Sequence, residues 1–377
     1  MKNKELTVWE ASCIITGYGI GAGVLAIPYI AQKNGIVSTL IIILLAFAIN
    51  VLLHLMIAET VQKCSDGAQI VSIFSRFLFR GKWKNLLTGI FFALMAFVLV
   101  TNLTAYIAGA ADVLSGFLPL PLLLSKVLFY IAAAAVVLFG LKAVALSEKY
   151  TIAVIFALIA VLAAASAVAP HHPLPTNSGG LRDGLALFSM VMLSFSAYFS
   201  VPQAVEGLHG DSKKIKKAVF IGLTNNLIII LVVTFCTLLS SEEITEVAMT
   251  GWSAGIGKWA QIIGSVFTVL AMLTTYWSLS LSLADIIREQ FNFDGRLCWL
   301  LATLPSFILS LLNIGGFIDF LQLAGGAIAI IVAAMVVPTY SRSRKEIPGS
   351  TLGVFGETPF CVLTIIAFIL MAVGSLL

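Results

Sequence analysis

Four glycines fall within seven residues, at positions 17, 19, 21 and 23, and Pro28 follows them in the run GYGIGAGVLAIP. Glycine inside a helix costs about 1 kcal/mol relative to alanine, and proline about 3. The run is therefore a poor helix in the middle of an apolar segment. Small residues can serve close helix packing, but residues two apart on a helix point about 200° from one another, so these four share no face. Unwinding explains the spacing better. An unwound stretch frees backbone N–H groups that hold a carboxylate and C=O groups that hold an ammonium or a cation, and half-helix ends add their dipoles.

A second segment, SFSAYFSVPQ, gathers Ser194, Ser196 and Ser200 around Tyr198 and ends at Pro202 and Gln203. Hydroxyls beside a proline can satisfy backbone groups released by a break. A proline-kinked helix with serines bonded back to their own turn is the alternative for this segment alone. Taken together, the two segments open two halves of a five-plus-five arrangement, and paired interruptions of this kind point to a transport site between inverted repeats. Asn102 and Tyr106 lie one turn apart on one face of a third apolar segment; they either line the same pocket or make an interhelical bond and ordinary packing. His54 sits deeper in the second segment, where a hydrogen-bonded packing role is favoured over a proton relay. Glu59, Asp112, Asp285 and Asp319 fall near segment ends, where solvation accounts for them.

The elements that must position these residues follow from composition. Of 377 residues, 60% are apolar and 11% charged, and mean hydropathy is +1.05; a soluble domain is about 45–50% apolar and 25% charged. A water-soluble enzyme is excluded. Apolar runs occupy 8–30, 36–58, 86–113, 122–140, 150–168, 184–208, 219–239, 259–287, 297–312, 317–338 and 360–377. At about 20 residues per crossing, they predict an all-α polytopic membrane protein with eleven transmembrane helices in a single domain. Its first repeat covers about 8–168, its second about 184–338, and 360–377 is an extra helix.

With the N-terminus in the cytoplasm, 18 of the 22 Lys and Arg residues fall on the inner side, and only Lys33, Lys126, Arg182 and Lys258 fall outside. This asymmetry supports both the count and the orientation. Glu5 and Glu10 interrupt the start of the first run, which reads as a retained span rather than a leader. The stretch 66–84 alternates apolar and basic residues and reads as an amphipathic helix on the inner surface. Five dispersed cysteines give neither a disulfide framework nor a zinc site, and the balanced charge gives no nucleic-acid surface. A channel would want a ring of like polar groups, and a membrane enzyme clustered His, Asp or Glu within the spans; neither pattern appears.

GIGAGVLAIPYIAQKNGI, FSAYFSVPQAVEGLHGDSKKIKKAV and LAGGAIAIIVAAMVVP together resemble the amino acid, polyamine and organocation superfamily. Within it they are most similar to the amino acid/auxin permease and hydroxy/aromatic amino acid permease families. The resemblance implies a LeuT-like inverted repeat with broken helices one and six, alternating access, and ion-coupled uptake of neutral amino acids in the plasma membrane. It places the substrate α-carboxylate at Gly19, Ile20, Gly21, Ala22 and Gly23. It places the α-ammonium and side-chain pocket at Phe195, Ser196, Ala197 and Tyr198, with Asn102 and Tyr106 across the pocket. For the coupling ion it offers two groups. Ala271, Thr274 and Thr275, with carbonyls near Gly17 and Ile20, match the sodium site of related transporters; Lys149 matches the place where proton-coupled or ion-independent relatives put a lysine, although a lysine at a helix end also snorkels. No cofactor beyond H+ or Na+ is implied. Tyr198 and Phe199 are the candidates for a gate. An exchanger without obligatory ion coupling, or a non-transporting sensor on the same fold, are the alternatives.

Overall fold

The first helix starts at a reciprocal cap. The Thr7 hydroxyl accepts from the Glu10 N–H at 3.2 Å, and the Glu10 carboxylate accepts from the Thr7 N–H at 2.9 Å, so two end donors are satisfied at once. Lys142 then pairs with Glu10 at 2.9 Å, fastening the start of a distant helix to this one. In the computed structural model, residues 5–64, 68–176, 179–312, 317–347 and 352–377 are described, without the side chains of residues 22, 317–319, 321–322, 324–325 and 332–333.

Helix α1 (Val8–Gly19) ends where the glycines cluster. Gly21 leaves helical dihedrals with ψ −157°, and α2 (Ala22–Ala31) continues after a bend of 52°. Gly35, with φ +70°, turns the chain into α3 (Ile36–Gln62), a backbone setting that glycine adopts without a Cβ penalty. The first half continues through α4 (Ile70–Phe77), α5 (Lys84–Phe117), α6 (Leu122–Leu138) and α7 (Leu141–Ser166). In the second half, α8 (Leu181–Ser194) stops before residues 195–199, and α9 (Ser200–Gly207) resumes beyond them. Asp211 caps α10 (Ser212–Ser240) by accepting from the N–H groups of Lys213 and Lys214. Then come α11 (Ala248–Ile256), α12 (Lys258–Phe291), α13 (Gly295–Leu311), α14 (Phe317–Ile331), α15 (Val337–Glu346) and α16 (Thr358–Gly374).

Six helical stretches among the described residues are long and apolar enough to cross a bilayer, and the bent α1–α2 pair makes a seventh. α6, α13 and α16 are apolar but only 17 residues each, about 26 Å at 1.5 Å per residue. The two interrupted pairs meet at the centre. α2 packs on α8 and α1 on α9, while α3, α7, α10 and α12 close around them and α5 lies against α12, α13 and α14. Non-helical backbone at membrane depth is tolerated only inside protein, and both breaks obey this: Ile20, Phe195, Ser196 and Ala197 are all buried.

Three expectations change. The stretch 66–84 is not one surface helix; residues 65–67 lie outside the described residues, and α4 covers only Ile70–Phe77. Its apolar face is buried in the protein, with Phe74 5.1 Å from Phe91 of α5. The tenth span does not stop at Pro338. A π-helical turn at Val332–Val336 widens the backbone ahead of the proline, which lacks an N–H and crowds the preceding turn, and helix continues to Glu346. Glu59 is buried rather than solvated, pairing with Lys63 at 2.9 Å and accepting from the Leu352 N–H at 3.1 Å. Asp319 lies outside the described side chains.

Candidate functional site

Between the two breaks is a cavity of about 20 Å³, room for about one water molecule. The bundle is therefore closed around it. Of the expected substrate residues, Gly19, Gly21, Gly23, Asn102, Tyr106 and Ser196 line this space, joined by Tyr18, Leu193, Ser194 and Ile328. The glycines are needed for clearance. A Cβ on Gly21 would stand 2.5 Å from the Tyr106 hydroxyl and 2.8 Å from Thr275 Oγ1, and one on Gly23 would run into Ser194.

Helix ends converge here. In the first turn of the ten-residue α2 the Val24 N–H bonds to the Gly21 carbonyl at 3.3 Å, while the N–H groups ahead of it precede the helix's own acceptors, so its start favours a carboxylate. The C-terminal ends of α1 and α8 present carbonyls, which favour an ammonium group. Among the described residues, Asn102 Oδ1 and the Tyr18 hydroxyl are buried without a hydrogen-bond partner. So are both amide atoms of Asn226, which the sequence reading missed and which abuts Gly19. Buried polar atoms are rarely left unsatisfied, and several together at one cavity suit a polar ligand.

The remaining break residues face elsewhere. Ile20 is buried but does not line the cavity, and the side chain of Ala22 is outside those described. Phe195 packs on Phe47 of α3 at 5.8 Å. The Ala197 N–H donates to His54 Nε2 at 3.0 Å, and His54 Nδ1 lies 2.6 Å from the Asn50 carbonyl; since Nε2 accepts, the ring proton is on Nδ1. The Tyr198 hydroxyl donates to Asn50 Oδ1 at 3.1 Å and accepts from Ser196 at 2.9 Å. Tyr198 and His54 thus brace the second break against α3, the packing role favoured for His54. Phe199 instead faces Tyr18 across the bundle with ring centroids 6.3 Å apart.

The ion-coupling candidates divide. Thr275 Oγ1 lies 3.0 Å from the Gly17 carbonyl, 3.3 Å from that of Tyr18 and 3.2 Å from that of Ala271, and Thr274 donates to Ala271 at 2.9 Å. These carbonyl and hydroxyl oxygens suit a hard cation such as sodium. The Ile20 N–H bonds to Thr16 within its own turn. Lys149 is half-buried with Nζ 5.8 Å from the centre of the Tyr150 ring. Its neighbour Glu148 takes the inward position, fully buried, hydrogen-bonded by Ser278 at 2.8 Å and set against Gly17. The sequence left it between the apolar runs 122–140 and 150–168, whereas α7 begins at Leu141 and carries it into the bundle.

Comparison with known proteins matches this architecture. The chain is 26% identical to a tryptophan-specific transport protein of Pseudomonas aeruginosa, over 97% of this chain and 93% of that one. It is 22% identical to a tyrosine-specific transport system of Haemophilus influenzae (96% and 94%), and 23% identical to a glutamine transporter of Aliivibrio fischeri (90% and 91%). Two solved structures share its fold at 15% identity. Mhp1, a nucleobase-cation-symport-1 family transporter in a closed conformation with bromovinylhydantoin bound, gives a TM-score of 0.66 over 99% of this chain and 91% of that one. MhsT in complex with L-phenylalanine gives 0.61 over the whole of both. A helical membrane protein with two facing breaks, related along its length to amino acid transporters and not to enzymes, also matches one family profile over residues 4–375. The chain belongs to the tryptophan/tyrosine permease family.

Proposed function

We propose that this protein is a secondary active symporter that carries a neutral, aromatic L-amino acid across the membrane by alternating access, driven by a coupling ion. The observation that carries this is the closed cavity between the two helix breaks, with an α2 N-terminus for the carboxylate and the α1 and α8 C-termini for the ammonium. No charged side chain lines it among the described residues, which favours a neutral side chain. Tyr18, Tyr106, Leu193 and Ile328 supply aromatic and aliphatic surface. The tyrosine- and tryptophan-specific relatives, and the likeness of the break motifs to hydroxy/aromatic amino acid permeases, point the same way.

The arrangement we infer has eleven spans. The α1–α2 and α8–α9 pairs each open a five-span repeat, over about 8–168 and 184–338, and α16 is the additional helix. The N-terminus faces the cytoplasm and the C-terminus the outside, by the distribution of Lys and Arg. Thermal shift of the purified protein against twenty amino acids, with and without sodium, reads substrate choice, because a ligand that binds only the folded state stabilises it. Uptake into proteoliposomes under separately imposed proton and sodium gradients reads coupling. Stabilisation by tryptophan or tyrosine together with gradient-driven accumulation is expected; accumulation driven by neither gradient would reject symport and identify an exchanger.

A further inference from the structure

The buried acids of this protein are not alike. Glu10 is held by Lys142 and the Thr7 cap, and Glu59 by Lys63 and the Leu352 N–H. Glu148 is fully buried in α7, its Oε1 accepts one hydrogen bond, from Ser278 of α12 at 2.8 Å, and its Oε2 has no hydrogen-bond partner among the described residues. Among the described residues no basic group answers it. Of the helices packed on α7, α1 places buried Cys13 within electrostatic reach of it and α12 brings the Ser278 hydroxyl. Among the described residues α6, α10 and α11 bring no charged or titratable group to it. Lys149, next in the chain, leans over Tyr150 instead.

An ionised carboxylate kept from water with a single hydroxyl donor is strongly disfavoured. The carboxyl also touches the backbone of α1. A Cβ on Gly17 would come within 2.5 Å of Glu148 Cδ and 2.8 Å of Oε1, so only glycine lets the two helices close here. Two residues farther on, at Gly19, α1 ends at the substrate cavity. The nearby threonine hydroxyls are satisfied by the Gly17, Tyr18 and Ala271 carbonyls, whereas the Glu148 oxygen is not.

We propose that Glu148 carries the coupling proton. With α1 packed on α7 and α12, the carboxyl keeps its proton. When α1 moves away and water reaches it, the O–H bond breaks heterolytically, the electron pair stays on the carboxylate and the proton passes to water. The reverse step reloads the acid from the other compartment. Because α1 also forms one wall of the amino-acid site, proton release and substrate release are linked, and a zwitterionic substrate moves with one net positive charge. This rests on the symporter proposed above, and the test separates the two.

The full-length protein is reconstituted in vesicles of phosphatidylethanolamine and phosphatidylglycerol and assayed with labelled L-tryptophan and L-tyrosine. Wild type is expected to accumulate substrate under an inward proton gradient without sodium. Glu148→Gln is expected to lose accumulation down to equilibration while retaining counterflow at equal pH, which needs the substrate site but no net proton movement. Accumulation by Glu148→Gln equal to wild type, or wild-type accumulation driven by sodium alone, would overturn the assignment. Transport of neither amino acid in either mode would defeat the symporter instead. Infrared spectra of wild-type and Glu148→Gln protein in lipid, both with isotope-labelled glutamate, give a readout besides transport. A protonated glutamic-acid carbonyl band at neutral pH that disappears in Glu148→Gln supports the assignment; absence of the band from the wild type, or its persistence in the variant, rejects it.

Discussion

Replacing Gly17 by alanine tests the contact between α1 and α7 directly. The added methyl would lie 2.5 Å from Glu148 Cδ and 2.8 Å from Oε1, with Oε2 nearer still. Ordinary carbon contacts fall at about 3.5–4.0 Å, so the carboxyl must retreat by about 1 Å or α1 must lift from its neighbours. Overpacking costs about 1–3 kcal/mol. The overlap here is deep, so the upper end applies, offset by about 1 kcal/mol for removing a glycine from a helix interior. A net loss of about 2 kcal/mol follows, a drop of a few degrees in Tm. The three obstructing atoms all belong to the end of one side chain, so truncating it clears the space. In a Glu148→Ala background the same Gly17→Ala change should therefore stabilise by about 1 kcal/mol, a coupling of about 3 kcal/mol, as expected for residues in contact. Thermal unfolding of detergent-purified protein, followed by reaction of a fluorogenic maleimide with the buried thiols of Cys13, Cys298 and Cys361, reads all four members of the cycle. Equal destabilisation in both backgrounds would refute the packing assignment, as would a neutral Gly17→Ala in the wild type.

Further outcomes follow from the same geometry. His54→Ala leaves the Ala197 N–H buried without its acceptor and should cost about 1–3 kcal/mol in the same unfolding assay; an unchanged Tm would mean that the second break is held by other contacts. Gly21→Leu and Gly23→Leu should abolish stabilisation by tryptophan or tyrosine while the protein still inserts in the membrane, because the added side chain fills the space between α2, Tyr106 and Ser194. Wild-type affinity in both variants would remove the cavity as the substrate site. In a cysteine-free background, Lys213→Cys and Glu242→Cys, at opposite ends of α10, should react with an impermeant thiol reagent from the cytoplasm and the outside respectively; labelling of both from one side would contradict the span between them.

The sequence by itself located the breaks. Glycine spacing and proline are local backbone preferences, felt before any tertiary contact, so the bend at Gly21 and the interruption at residues 195–199 were legible from residue types alone. Hydropathy and turn residues likewise marked most helices, because burial in lipid requires long apolar runs. What only the tertiary structure decided was rotation. Glu148 and Lys149 are adjacent, about 100° apart on a helix, and α7 is apolar on nearly every side, so no pattern said which would face the centre. The fit against Gly17 and Ser278 turned Glu148 inward and left Lys149 at Tyr150. The same holds at the second break, where Tyr198 and Phe199 read alike but a hydrogen bond to Asn50 draws one to α3 and leaves the other opposite Tyr18. Asn226 entered the site in this way too, since an amide on a long helix acquires a role only when another helix ends beside it. The passage of helix through Pro338 required the π-helical turn ahead of it, an adjustment of backbone spacing that residue types alone do not announce.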